Sequence, residues 1–461
     1  MVSFGSPRSH AGKAHQSSAS APCCAVVPLQ LACREEFRAS SRNRARHLQI
    51  ASLVGLLQLF RQRRTLSLVR ARAHASSRPV LQLCFDINKT IVMEDSSGRK
   101  SARELCNEAL ADATWGSVRG GRWEFSGAPL SLEAPDQGLI SYSAWVHELF
   151  RNRPVDASDF SSLTTSRSRL AKAKEERDRL RGSFAEEGGA APAEVAQLLQ
   201  PMLSQLLIPE VLRSSPAMEA AGLAGRDTWF ILPSFLAAVR ELLQSDGLEQ
   251  VRVSLHFRTF GSDLPAVAKE FNAFVKGEHP LHPDFCCNED DDLELELDLA
   301  NRFGSYFRDS EGPMLALGAD LSGCQHREEV AEKIRSQGAR LIDGYQAIHD
   351  EVREISSKGQ AWCFRDYWSF WRDQAEAAEA GKLLTVSEDF HVLYMDDNAR
   401  GPDGHIVDVR DRDGKRLAWP EVLAAGQVVR AWPLAALSDP DYFKNLIQSA
   451  LRRVRRGDLQ L

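Results

Sequence analysis

No two cysteines in this chain stand in Cys-x-x-Cys spacing. That absence excludes a zinc ribbon and a thioredoxin-type redox motif. The nine cysteines are scattered instead: Cys23, Cys24 and Cys33 near the N-terminus, then Cys84, Cys106, Cys286, Cys287, Cys324 and Cys363. Such sparse spacing suits reduced thiols, most of them buried. An apolar run long enough to cross a bilayer is also missing. The most apolar early stretch, 50–60, is too short, and the arginines that follow it at 61, 63 and 64 suit an amphipathic surface helix.

Acidic residues are nearly absent from residues 1–78, which carry 13 Lys and Arg against only Glu35 and Glu36. An Arg- and Ser-rich, acid-poor N-terminus is the pattern of an organelle transit peptide, for a plastid or mitochondrion. The alternatives are a disordered basic tail or a mis-called start site. The whole chain is formally −6, so everything after residue 78 carries −17. A basic footprint is therefore lacking where the fold must lie, which argues against nonspecific nucleic-acid binding. The 461 residues, 26% charged and 43% hydrophobic, suffice for two or three domains' worth of globular sequence.

The stretch 80–90, VLQLCFDINKT, organises the rest. A short apolar run that stops at Asp86 predicts a strand buried on both faces of a parallel sheet. Ligands bind beyond the carboxyl ends of such strands, so Asp86 stands where a catalytic carboxylate would stand. The turn signal Ser96-Ser97-Gly98 predicts a hairpin-like flap next. Helical spacing then marks Ala102–Ala113, 143–151, the highly charged 166–181, and 192–207. An aromatic hairpin is expected at 115–125. Residues 102–227 thus read as a mainly helical insertion. A helix over 230–243 follows, then an alternating strand over 251–260, then a helix over Leu264–Val275 opened by Ser262 or Asp263. The set His279, His282 and Asp284 has metal-ligand residue types, but Pro280 and Pro283 make it an irregular loop. The acidic run 289–292 lacks the glycine and spacing of an EF-hand. Strands are expected at 315–317, 340–344, 391–395, 406–409 and 427–431, and helices at Arg327–Gln337 and 441–454. The aromatic-rich 362–380 reads as a packed lid or helix-to-sheet contact.

Four polar sites fall at comparable places: Asp86 and Asn88 after one strand, Thr259 after a second, Lys382 before a third, and Asp396-Asp397 after it. If the three strands are parallel neighbours, these groups meet at one sheet edge. Paired carboxylates there suit Mg²⁺, which takes carboxylates, waters and substrate phosphate. A lysine and a threonine hydroxyl can hold phosphate oxygens. Chemically this is a phosphoryl-transfer site, with a carboxylate as nucleophile.

The ordered set Asp86-Ile87-Asn88-Lys89-Thr90, Thr259, Lys382, Asp396-Asp397 resembles the haloacid dehalogenase-like superfamily. The resemblance spans residue 79 to the C-terminus and rests on about seven residues. It implies a three-layer α/β/α sandwich with a central parallel sheet, formed by 79–101 and 228–461, with 102–227 as a cap and 277–380 as an insertion where the family carries a second cap type. It implies Asp86 as nucleophile and Mg²⁺ ligand, Asn88 binding metal through its carbonyl, and Asp396 with Asp397 completing the metal site. Thr90, Thr259 and Lys382 would hold phosphate, Lys382 also countering the nucleophile's charge. The expected activity is Mg²⁺-dependent hydrolysis of a small phosphorylated metabolite through an aspartyl-phosphate. One departure stands out. Asn88 occupies the place of the family's second aspartate, the general acid/base, and an amide cannot do that work, a loss of about 10²–10⁴-fold. Asn88 leaves a slow phosphatase, an enzyme whose acid/base comes from its cap, or a weakened member that only binds phosphate or a partner. Carbon–halogen hydrolysis also uses an aspartate nucleophile, but no residue here speaks for it.

Overall fold

Val80–Asp86 forms strand β1 in the computed structural model, which describes residues 78–150, 160–244, 250–287, 295–388 and 390–456. The remaining strands are β2 (Trp115–Arg119), β3 (Arg122–Phe125), β4 (Ile140–Ser141), β5 (Arg252–Thr259), β6 (Phe303–Asp309), β7 (Gly312–Leu317), β8 (Arg340–Asp343), β9 (Ala361–Arg365), β10 (Lys382–Thr385), β11 (His391–Asp396), β12 (Val407–Arg410) and β13 (Val428–Arg430). Eight of them form one sheet in the order β13-β11-β1-β5-β9-β6-β7-β8. The run from β13 to β6 is parallel throughout, and β7 is antiparallel to both β6 and β8. The fold is therefore α/β with a mixed, mostly parallel central sheet.

Alternation along β1 divides the core. Leu81, Leu83 and Phe85 face one side, packing with Phe235, Phe271 and Phe443 from the helices Pro233–Leu243, Leu264–Val275 and Tyr442–Arg456. Cys84 faces the other, with Tyr394, Trp362, Ile348 and Val352, the last two from the helix Tyr345–Ser357. Phe85 meets Phe235 edge-on, with ring centroids 4.9 Å apart, and Phe235 meets Phe443 at 5.6 Å. Each such fully buried ring contributes roughly 1.5–3 kcal/mol. The alternation read along β5 is real: Val253, Leu255 and Phe257 share the apolar side. Its other side is buried as well and polar. There Ser254, His256, Ser356 and Gln82 bond one another, and burial, with Arg258 nearby, pushes His256 down to about 3, so it stays neutral.

The helix Ala102–Ala113 starts where the sequence places it, because Ser101 and Glu104 close a capping box. Around it lie the hairpin β2–β3, joined by β4, and a long charged helix, Phe160–Gly182. The helix expected over 192–207 is two pieces, Ala193–Ala196 and Leu199–Gln205, with Pro201 in the second. The larger correction concerns 277–380. It is no appendage: β6, β7, β8 and β9 come from it and make half of the main sheet. The aromatic stretch 362–380, expected as a packed lid or helix-to-sheet contact, begins in β9, a strand between β5 and β6 whose Trp362 and Phe364 fill the core. Residues 1–77 and 289–292 lie outside the described residues. Among the described residues no helix is long and apolar enough to cross a membrane.

Candidate active site

Register brings the polar strand ends together. Across β1, Phe85 pairs with Met395 of β11 on one side, and Asp86 with Arg258 of β5 on the other. Asp396 thus stands level with Asp86, and Thr259 one residue beyond it, on the two flanking strands. Lys382 is not in a connection, as expected, but opens β10, which pairs with β12 in a separate two-stranded parallel sheet. Its ammonium enters the gap between the two aspartates. It bonds Asp86 Oδ1 directly and Asp396 Oδ2 at 2.7 Å.

Two buried arginines bracket that lysine. Arg258 donates to the Leu383 carbonyl at 2.7 Å and forks onto Asp366. Arg308 donates to the Gly381 carbonyl at 2.8 Å and to Asp408. Gly381 itself is required by space, since a Cβ there would meet the Ile406 carbonyl oxygen at 2.1 Å. No sequence spacing announces these arginines, because their partners are far along the chain.

The other candidate residues divide between contact and support. Thr90 was expected to bind phosphate. Its hydroxyl instead donates to Asp86 Oδ2 at 3.3 Å and accepts from the Asp397 amide at 3.2 Å, so it orients two of the carboxylate residues. Thr259 accepts from the Gly261 amide at 2.8 Å and donates to Asn88 Oδ1 at 3.4 Å. The Asn88 amide donates to the Glu94 carbonyl at 2.7 Å and to Asp263 at 3.0 Å. Asp396 is held by the Asn398 amide at 2.8 Å and the Tyr394 hydroxyl at 3.2 Å.

Lys89, inside the first motif, was assigned no role by sequence. It adopts φ +59° and bonds Asp397 at 2.8 Å, with Glu108 and Asp112 of the Ala102–Ala113 helix each at 3.5 Å. Arg181 and Arg400 also meet Asp112, at 3.4 and 3.1 Å. A buried charge network thus joins the loop after β1 to the helical insertion.

Asp86, Asp396 and Asp397 each present a carboxylate oxygen, all three within 4.8 Å of one another. Two ammoniums sit among these three carboxylates. Burial pushes Asp86 well above the usual carboxylate range; Lys382 pulls it back, while Asp396 and Asp397 push further up. Asp397 is likewise raised by burial, against the pull of Lys89. Burial alone would lower Lys382, but Asp396 and Asp86 outweigh it and hold the ammonium above its ordinary value. An all-oxygen carboxylate set fits a hard divalent cation such as Mg²⁺. The site is enclosed: Asp86 and Asp397 are each 5% exposed and Asp396 is 0%. Beside Asp397 a narrow cleft, lined by Asp112, Ser131, Leu132, Arg430 and Trp432, has room for about one water.

His279, His282 and Asp284 do not assemble a metal site. His279 is buried and faces Glu270 at 3.2 Å, fixing a turn. A different group, His147, Glu376 and His405, does gather between the insertion and the sheet. Arg177 lies within 3.2 Å of His147 Nδ1 and 3.4 Å of Glu376. Because arginine only donates, His147 Nδ1 must accept, and the cluster already holds a cation. It acts as a clamp. Comparison with protein-family models, with curated proteins and with solved structures finds no match.

Proposed function

We propose that this chain is a Mg²⁺-dependent phosphohydrolase of the haloacid dehalogenase-like kind, acting on a small phosphorylated metabolite. The observation that carries this reading is Lys382, shared between Asp86 and Asp396 inside a buried ring of carboxylates. Asp86 is the nucleophile. One oxygen attacks phosphorus, the bond to the leaving oxygen breaks, and an acyl phosphate forms on Asp86; water then releases phosphate. Thr90 fixes the attacking carboxylate, and Lys382 offsets negative charge on the nucleophile and on the transferring group. Thr259, at the end of β5, is assigned to the phosphoryl oxygens. Asp86, Asp396 and Asp397 would hold Mg²⁺, with the Asn88 carbonyl beside them. When bound, the ion supplies further neutralisation of phosphate charge. The test is Asp86→Asn. It should abolish phosphate release from p-nitrophenyl phosphate, with the fold intact by circular dichroism.

A second reading has its own support. Asn88 lacks acid/base capacity and is tied into a hydrogen-bonded network, as in a module that binds phosphate without turning it over. No turnover on a broad set of phosphate esters, with Mg²⁺-dependent binding of beryllofluoride, would favour that module over the hydrolase.

A further inference from the structure

Register places a further charged side chain on the same sheet edge. Asp86 of β1 stands level with Asp396 of β11, and Asp396 pairs with Arg430, the last residue of β13. Arg430 is therefore two strands from Asp86, roughly 10 Å across the sheet, at the strand ends where ligands of such folds bind. Its side chain is 13% exposed. Nη1 donates to the Leu132 carbonyl at 2.7 Å, and Nε to the Asp397 carbonyl at 3.4 Å. Among the described residues its one ion-pair partner is Glu133, 3.5 Å away and 81% exposed. A partner so exposed neutralises little. The neighbouring cations are better matched. Lys89 has Asp397, Glu108 and Asp112, Arg181 has Glu108 and Asp112, and Arg400 has Asp112. Burial, and after it the charge of Arg400, hold the Arg430 guanidinium below its ordinary pKa.

A donor without an acceptor stands beside it. Trp432 and Arg430 both line the narrow cleft next to Asp397. The indole Nε1 of Trp432 is buried and has no acceptor among the described residues, whereas a buried indole N–H ordinarily finds one. The backbone that carries the ring is fixed, its amide donating to the Tyr442 hydroxyl at 2.8 Å. The cleft thus brings together a weakly neutralised guanidinium and an indole N–H, groups that only donate. What complements them is an acceptor, and the charge favours an anionic one. The room is that of about one water, which suits one oxygen of a flat carboxylate and excludes a second phosphate or a sugar ring. Asp112 and Asp397 also line the cleft, but these are the carboxylates that Lys89, Arg181 and Arg400 already neutralise.

We propose that Arg430 and the Trp432 N–H form a subsite for a carboxylate on the leaving group, so that the substrate is a small acyclic phosphate ester of a hydroxy acid. This rests on the reading of Asp86 as the group that takes the phosphoryl. With phosphorus at Asp86 and one carboxylate oxygen in the cleft, the ester lies across the ends of β1, β11 and β13. Two strand spacings, roughly 10 Å, suit a phosphate joined to a carboxylate through a few carbon atoms. Arg430 supplies the charge and Trp432 a neutral donor, and together they select and orient the ester.

Phosphoglycerate and glycerol phosphate share a three-carbon skeleton and differ by a carboxylate against a hydroxymethyl group. Both should be titrated calorimetrically with Mg²⁺ into full-length Asp86→Asn, which cannot turn them over, and kcat/KM measured for both on the protein with Asp86 intact. Phosphoglycerate should be preferred by about 10–10²-fold, the worth of a hydrogen bond to a charged group. Arg430→Gln should abolish that preference, and Trp432→Phe, which keeps a ring and loses the N–H, should reduce it about 3–10-fold. Each variant is scored by the ratio between the two esters, so one that merely loosens the site lowers both and leaves the ratio where it was. If Arg430→Gln fails to fold, Trp432→Phe decides by the same ratio. Equal binding and turnover of the two esters, or a ratio unmoved by the variants, would overturn the subsite and leave the hydrolase standing. Binding of neither ester would also overturn the subsite, with the hydrolase still judged on p-nitrophenyl phosphate. A preference in binding that the variants remove, without turnover of any ester, would uphold the subsite and overturn the hydrolase.

Discussion

Asp86 carries the sharpest electrostatic consequence. Burial and two neighbouring carboxylates raise its pKa in the folded state. The native protein therefore keeps a proton that the unfolded chain releases first, and stability falls as pH rises from the ordinary carboxylate range toward that raised value. Asp86→Asn removes this loss, while Lys382 keeps Asp396 as a partner at 2.7 Å. The variant should melt a few degrees (~2–4 °C per kcal/mol) above wild type at neutral pH. The gap should close as the buffer is taken down to about pH 4, which differential scanning calorimetry will measure. Lys89 is the opposite case. Lys89→Met leaves Asp397, Glu108 and Asp112 short of a cation and should cost about 3–5 kcal/mol in urea unfolding. It relieves none of the φ +59° strain, since methionine meets the same steric limit.

At the level of elements, the short strand β10 exists to deliver Lys382. Gly381→Ala drives a methyl into the Ile406 carbonyl and should displace the ammonium. The expected result is weakened Mg²⁺-dependent turnover together with lost stability, checked by kcat and by Tm on the same preparation. The C-terminal helix Tyr442–Arg456 lays Phe443, Ile447 and Leu451 over Phe235 and the sheet. Phe443→Ala should cost about 3–5 kcal/mol, read from the denaturant midpoint. The sequence was most legible where an element's signals are local. Ala102–Ala113 has its capping box, Leu264–Val275 its apolar spacing, Arg327–Gln337 the left-handed Gly338 that closes it, and β1 its apolar run ended by Asp86. The strand β6 and the helix Tyr345–Ser357 were not expected. The run FGSYFRD of β6 opens with no strict alternation, and its Arg308 is buried because the distant Gly381 carbonyl and Asp408 carboxylate receive it. Among site residues, the motif aspartates, Lys382 and Thr259 could be read in order along the chain. Asp263, named only as a helix cap, and Lys89 acquire their surroundings from elements far away in sequence.

For the molecule as a whole, the buried charges between the insertion and the sheet predict a closed arrangement. Lys89, Arg181 and Arg400 all converge on Asp112, so the covering helices are pinned over an enclosed group of carboxylates. Hydrogen exchange should be slow in Ala102–Ala113 for the isolated protein and faster in Asp112→Asn, whose site becomes easier to reach. Mg²⁺ at 100 times its Kd should add about 2.7 kcal/mol to wild-type stability and far less to Asp396→Asn.

The order of strands also sets a timetable for biosynthesis. β1 is made early, yet its neighbour β11 is made some three hundred residues later. A chain emerging from the ribosome cannot complete the centre of its sheet until most of it has been translated, and such long-range pairing is slow. Until then β1 keeps one unpaired edge, a template for wrong strand pairing.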